Sequence, residues 1–274
     1  MIVLVNYGNS KYEKAKKLNT ITAKYKANFD KIYSFSPEDI DTEYVKKHEK
    51  IFSVQRGNGL WLWKPYFTLR VLNNLREGDI LFYCDSAAFF IGNAHKIVEK
   101  MNKEFWVTEL PLLEEQFTSA IAFKEMKCDT DRYKKTNQIQ ASFFALRKTN
   151  RTVNFVKEWL FYCENYEILT GSIPRSEEGD KFISHREDQS IFSLLCKKYK
   201  IEPSLDPTQY GKLPEKYYYS TKYIFNPSKC AREYKPFIIL HRTPDANFCT
   251  CFKQYLCATL PRCLSLKLII GLNR

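Results

Sequence analysis

Two carboxylates in this 274-residue sequence stand at positions suited to chemistry. Asp85 follows directly on Ile80–Cys84, a short apolar run of strand formers of the kind buried on both faces of a sheet. The carboxyl end of such a strand is where open α/β sheets place their ligands. The plainer alternative is a residue that caps a turn. Asp188 sits in Ser184–Ser190, where Ser184 and Glu187 have the spacing of a capping box and predict the start of a helix. On that helix His185, Asp188, Phe192, Leu195 and Tyr199 share one face, so the apolar stripe carries His185 and Asp188 inward. A buried carboxylate is costly unless it is paired, so Asp188 must meet a ligand or a basic group. The competing reading is a capped helix with local ion pairs.

Upstream of Asp85 lies a glycine-flexible turn with two tryptophans, Gly57–Pro65, flanked by Arg56 and containing Lys64. A cation there suits a diphosphate, and Trp61 or Trp63 suits stacking on a sugar or base, although at least one of them reads as core. Pro65 fits the first turn of a helix, because its missing N–H has no partner to lose there. Tyr66, Leu69, Leu72 and Leu75 continue at helical spacing. Around this stretch, Ile2–Asn6 reads as a first buried strand, Gln138–Leu146 enters another, and Phe237–Leu240 is a third, ended by His241 and Arg242. Thr149 or Asn150 caps a helix whose stripe is Val153, Val156, Trp159, Leu160 and Cys163.

The run Gly57-x-Gly59-x-Trp61-x-Trp63-Lys64-Pro65, followed by Gly78-Asp79-Ile80-Leu81-x-Tyr83-x-Asp85-Ser86, resembles bacterial glycosyltransferases of capsule and lipopolysaccharide synthesis. His185-Arg186-x-Asp188-Gln189-Ser190 resembles a late motif of the same family. Two departures stand out: Ala87 occupies a position usually held by glycine, and no second aspartate completes an Asp-x-Asp metal motif. The resemblance implies an α/β, GT-A-like nucleotide-sugar-binding domain with a mainly parallel central sheet flanked by helices. It implies a nucleotide-sugar donor, with a UDP-sugar the working choice, and a glycan or lipid-linked glycan acceptor. On this reading Tyr7, Arg56, Trp61, Trp63, Lys64, Asp85, Ser86 and Arg186 bind the donor. Asp85 holds Mn²⁺ or Mg²⁺, with His241 as a possible second ligand, since some GT-A enzymes use a late histidine. Asp188, His185 and Gln189 are the catalytic candidates, Asp188 orienting a sugar or acting as base. Gln140 and Ser142 fall beside the sugar.

Composition frames these expectations. The net charge of +12 favours anionic partners: nucleotide diphosphates, anionic lipid surfaces or nucleic acid. Acids and bases are interleaved and no recognised nucleic-acid module is present, so nucleic acid is not the expected partner. A non-catalytic nucleotide-sugar-binding scaffold is the other rival. Aromatics make up 15% of the chain, which suits sugar faces as well as cores. Met1–Ser10 reads as a strand and not a signal peptide, and no stretch approaches the roughly 18 apolar residues needed to span a bilayer. A cytoplasmic location follows, with the nine cysteines reduced. Residues 1–247 form the expected transferase domain. Residues 248–274 carry Lys253, Arg262, Lys267 and Arg274 without an acid, and read as a basic amphipathic tail lying on the anionic inner face of the plasma membrane; a helix packed on the domain is the competing reading.

Overall fold

The structure is a computed structural model that describes residues 1–99, 101, 104–217, 222–227 and 235–265. Its strands are Ile2–Tyr7 (β1), Lys31–Phe35 (β2), Ile80–Cys84 (β3), Ala88–Phe90 (β4), Phe105–Trp106 (β5), Glu109–Leu113 (β6), Asn137–Ile139 (β7), Phe143–Arg147 (β8) and Ile238–Leu240 (β9). Five of them form the central sheet in the order β2-β1-β3-β8-β5. β1 runs parallel to β2 and β3, whereas β8 runs antiparallel to β3 and β5. The sheet is therefore mixed, and the mainly parallel expectation is corrected. The reason is the route of the chain: β7, in a separate sheet with β6, hands over through three residues to β8 beside the carboxyl end of β3, so β8 runs back against β3. β8 thus enters the sheet at the end where β3 leaves it, and Asp85 N donates to Ser142 O at 2.8 Å.

The three middle strands are buried on both faces, as their continuous apolar runs predict. Their side chains alternate between two cores. Val3, Val5, Leu81, Tyr83, Phe144 and Leu146 pack on one side with Trp63, Phe67, Trp159 and Phe192. Leu4, Phe82, Cys84, Phe143 and Ala145 pack on the other with Ala23, Phe29, Phe90, Trp106 and Phe237.

The longer helices are Glu13–Thr22 (α1), Trp63–Asn73 (α2), Asn150–Cys163 (α3), Glu187–Lys198 (α4) and Phe248–Thr259 (α5). Thr149 caps α3 by accepting from Thr152 N, and Val156, Trp159 and Cys163 are buried along its stripe. α4 begins two residues later than the sequence spacing predicts, with Arg186 rather than Ser184 at its N-cap. Ser184 makes no cap: its backbone N–H goes to Gln116 O, while the Glu187 carboxylate is taken by Arg56. β4 and β9 form a separate two-stranded antiparallel sheet, which brings His241 N and Arg242 N onto Ala87 O at 3.1 and 3.0 Å. The C-terminal stretch is packed where it is described: α5 buries Cys251, Cys257 and Ala258, and Cys251 and Ala258 cluster with Phe89 and Ile239. Phe248, Phe252 and Tyr255 stay exposed. Residues 266–274, including Lys267 and Arg274 of the expected tail, lie outside the described residues. Among the described residues no helix is long and apolar enough to cross a membrane.

Candidate active site

Because β1 and β3 are parallel neighbours, their carboxyl ends bring Tyr7 beside Asp85 and Ser86. The loop after β3 is fixed by a buried relay. Asn6 Nδ2 donates to Asn19 Oδ1 at 2.8 Å, and Asn19 Nδ2 donates to the carbonyls of Asp85 and Ala88 at 3.3 and 3.0 Å. Ser86 Oγ donates to Tyr7 O.

The centre of the site is an ionic cluster. Lys64, from the first turn of α2, places Nζ 2.9 Å from Asp188 Oδ2 and 3.6 Å from Asp85 Oδ1, and donates to Ala141 O at 3.2 Å. Tyr83 O–H donates to Asp85 Oδ1 at 2.6 Å, and Trp159 Nε1–H donates to the Asp188 carbonyl at 3.1 Å. The side chains of Lys64 and Asp188 are 4% and 5% exposed, against 34% for Asp85. Asp85 is thus the carboxylate that faces a ligand, and Asp188 stands behind Lys64. Burial pushes Asp188 up to about 7, against the pull of Lys64. Burial works to lower Lys64 as well, but the two carboxylates hold it above its ordinary value. The basic partner that a buried Asp188 requires is therefore Lys64. Asp188 gives its buried carboxylate to Lys64.

The upstream turn has an unusual backbone. Gly57, Asn58, Gly59, Leu60 and Trp61 all have positive φ, at 62°, 52°, 88°, 52° and 60°. This left-handed run delivers Asn58 Nδ2 to the Tyr7 hydroxyl and sets the Trp61 ring 5.5 Å from the Arg56 guanidinium. Gly59 admits no side chain, since a Cβ there would come 2.6 Å from Phe52 Cδ1. Trp63 stacks on Tyr7 at 3.8 Å and 17°, with its indole N–H on Gly57 O, and is the tryptophan that belongs to the core. Trp61 is only half-buried. Arg56 is paired to Glu187 at 2.6 Å, so its charge is committed.

Arg186 and Gln189 meet at Gln138. Arg186 Nη1 and Gln189 Nε2 both donate to Gln138 Oε1, at 3.1 and 2.9 Å, and Ala141 N donates to Gln189 Oε1. Gln138 Nε2 is held in turn by the fully buried Glu114, which Lys197 neutralises. His185 is not part of this cluster. Its Nδ1 accepts from Ser119 N, its ring packs against Gly171, and burial lowers it to about 4, so it is neutral. Gln140 donates to Thr108 Oγ1 at 2.6 Å.

Sequence reading missed Tyr83, Asn58, Gln138 and Arg242 as members of the site. Tyr83 carries a weak signal, since it lies two residues before Asp85 and so points to the same face of β3. The other three depend on partners distant in the chain.

A divalent cation bridging phosphates asks a protein for only one or two ligands. Asp85 offers a partly exposed carboxylate. His241 Nδ1 lies 3.0 Å from Thr243 Oγ1, so a ring protonated there donates to that hydroxyl and leaves a lone pair on Nε2, which is buried without a hydrogen-bond partner; burial lowers the ring to about 4. A neutral imidazole with an orphaned nitrogen fits a metal ligand. Among the described residues no three His, Cys, Asp or Glu groups converge as a metal cage.

No protein family matches the chain by its sequence, and neither does any curated protein. Solved structures that it resembles include mouse xyloside xylosyltransferase 1 in its apo form, at 10% identity over 75% of this chain and 86% of that one, with a TM-score of 0.43. The apo bifunctional glycosyltransferase WbbM gives 9% identity over 71% of this chain and 37% of that one, TM-score 0.44. Apo GlyE, a glycosyltransferase of Streptococcus pneumoniae TIGR4, gives 13% identity over 99% and 63%, TM-score 0.47. At these identities and scores the likeness assigns no donor, acceptor or residue role to this chain.

Proposed function

We propose that the chain is a glycosyltransferase that moves a sugar from a nucleotide diphosphate donor, with a UDP-sugar the working choice, to a growing cell-surface glycan such as capsule or lipopolysaccharide. The observation that carries this reading is Asp85: a part-exposed carboxylate at the carboxyl end of a buried strand, held from behind by Lys64 and Tyr83. The motif resemblance around Gly57–Ser86 supports the same chemistry.

Transfer breaks the bond between the anomeric carbon and the diphosphate, so negative charge grows on the leaving group and must be met by preorganised cations or dipoles. Mn²⁺ or Mg²⁺ bound by Asp85 and His241, with phosphate oxygens completing the shell, would supply that neutralisation. Lys64 and Tyr83 hold the Asp85 carboxylate in place, and Asp188 acts as a positioning residue by holding Lys64. Trp61 offers a ring for the base or sugar. Gln189 braces the entry to β8 through Ala141, the residue whose carbonyl also receives Lys64. Phe248 and Phe252, stacked and exposed on α5 beside Lys253, would touch an anionic membrane surface where lipid-linked acceptors reside.

The test is a panel of nucleotide sugars with and without Mn²⁺, read by melting temperature and by release of nucleoside diphosphate. At least one donor should raise the melting temperature and be turned over. A panel in which none is bound or hydrolysed would falsify the reading.

A further inference from the structure

The sequence offers three cations near the donor motifs, and the structure commits two of them elsewhere. Lys64 is surrounded by Asp85 and Asp188, and Arg56 is paired with Glu187. Summed with their partners, these five groups carry no net positive charge, so they cannot by themselves attract a diphosphate. Arg186 is different. Its guanidinium lies 3.7 Å from the centre of the Phe117 ring and donates to the neutral Gln138, with no carboxylate within ion-pair distance among the described residues. A second arginine joins it. Arg242 follows β9, is anchored by its N–H to Ala87 O two residues beyond Asp85, and lies over the Tyr210 ring at 4.3 Å. It too forms no ion pair among the described residues, and its backbone is held at φ 57°, outside the usual region for a side-chain-bearing residue. The rings that carry them, Phe117 and Tyr210, pack in one cluster with Tyr217, which brings the two guanidinium groups into one neighbourhood. Glu114 and Asp206 are near, but Glu114 is ion-paired to Lys197 and Asp206 accepts from Thr208 N, so like charges brought together on aromatic supports call for an anion between them.

We infer that Arg186 and Arg242 form a two-arginine clamp for the diphosphate of the donor, beside Asp85 and independent of any metal ion. This rests on the nucleotide-diphosphate reading above and adds the groups that grip the leaving phosphate. Both arginines connect to Asp85 through short paths: Arg242 through Ala87, and Arg186 through Gln138, Gln189, Ala141 and Lys64. Guanidinium forks match phosphate oxygens in pairs, which an ammonium cannot do, so lysine replacements should restore only part of the affinity.

The experiment is calorimetric titration of the full chain with inorganic pyrophosphate and with UDP, in EDTA, at low and moderate salt. Both ligands should bind without metal, more weakly as salt rises. Arg242→Gln and Arg186→Gln should each weaken binding about tenfold or more, and the double variant about a hundredfold, the range for truncated charge-assisted contacts. Arg242 is exposed, so Arg242→Gln keeps the fold even if Arg186→Gln does not, and a melting curve verifies each variant. Wild-type affinity in folded Arg242→Gln, or a wild-type chain that binds neither ligand in EDTA, overturns the clamp. A chain that binds UDP through these arginines yet transfers no sugar overturns the proposed function and leaves the clamp standing. A double variant with wild-type turnover does the reverse.

Discussion

Replacing Lys64 by methionine tests whether the site is built on a buried charge. Methionine keeps the apolar stem and removes the ammonium, leaving Asp188 at 5% exposure and Asp85 at 34% without their cation. Breaking a buried pair by removing one partner costs about 3–5 kcal/mol. The cost depends on pH in a direction the structure sets. In the wild type, burial raises Asp188 to about 7, above its unfolded value. Its contribution to stability is complete below the unfolded pKa of about 3.9, is lost as pH rises toward 7, and is flat above. Without Lys64 the folded pKa rises further, so the variant keeps losing stability above pH 7 while the wild type does not. Its deficit should therefore widen by up to about 1.4 kcal/mol per pH unit above neutrality. Urea unfolding at about pH 6 and about pH 9 measures this directly. Asp188→Asn should be milder, because Asp85 at 3.6 Å and the Ala141 carbonyl at 3.2 Å still hold Lys64. Lys64→Met with Asp188→Leu should recover most of the loss, since apolar replacement of a whole buried pair is often neutral. A Lys64→Met deficit under about 1 kcal/mol, or one equal at both pH values, refutes the argument.

Asp85→Asn should lower donor turnover by two or more orders of magnitude at unchanged melting temperature, measured as nucleoside diphosphate release; near-wild-type turnover removes Asp85 from the chemistry. Burial lowers His185 to about 4 from its ordinary 6.5, so it contributes stability present above about pH 6.5 and lost as pH falls through 4. His185→Asn should flatten the acid limb of the stability profile over that window by up to about 3 kcal/mol, read by urea midpoints. Gly59→Ala should cost about 1–3 kcal/mol, because its φ of 88° and the approach to Phe52 both oppose a Cβ. Deleting residues 248–274 should lower the melting temperature, because Cys257 and Ala258 are buried by packing. Phe248→Ser with Phe252→Ser should reduce binding to anionic vesicles without that loss, and unchanged binding ends the membrane contact.

What could be read in the chain and what could not follow a physical divide. β1, β3 and β8 announced themselves because strands buried on both faces must be apolar at every position. α3 was legible from its stripe and its threonine cap. Asp188 was legible as an inward carboxylate that needs a partner, but nothing local names Lys64, which comes from a distant helix. The start of α4 was misplaced for the same reason: Glu187 has the spacing for a capping box, yet Arg56 offers it a stronger contact. The direction of β8 is set by where β7 hands the chain over, which hydrophobic pattern does not encode. Arg242 was not legible as a site residue because its place over Tyr210, with no ion pair among the described residues, exists only once the chain is folded.

The left-handed run from Gly57 to Trp61 bears on how the molecule comes apart. Two of its five residues, Leu60 and Trp61, carry side chains in a region that costs each about 1–2 kcal/mol. Gly57, Asn58 and Gly59 accept that shape locally, but Leu60 and Trp61 do not, and contacts to Tyr7, Phe52 and Arg56 outside the segment hold the run in place. When those contacts loosen, the run gains by relaxing, whereas the sheet beneath it loses by opening. Amide protons of this segment should therefore exchange at lower free energy than those of β3, and the Tyr7–Trp63 stack should be lost in mild denaturant while the sheet is still intact. Ligand affinity would then fade ahead of secondary structure along the same titration, because the door frame yields before the wall.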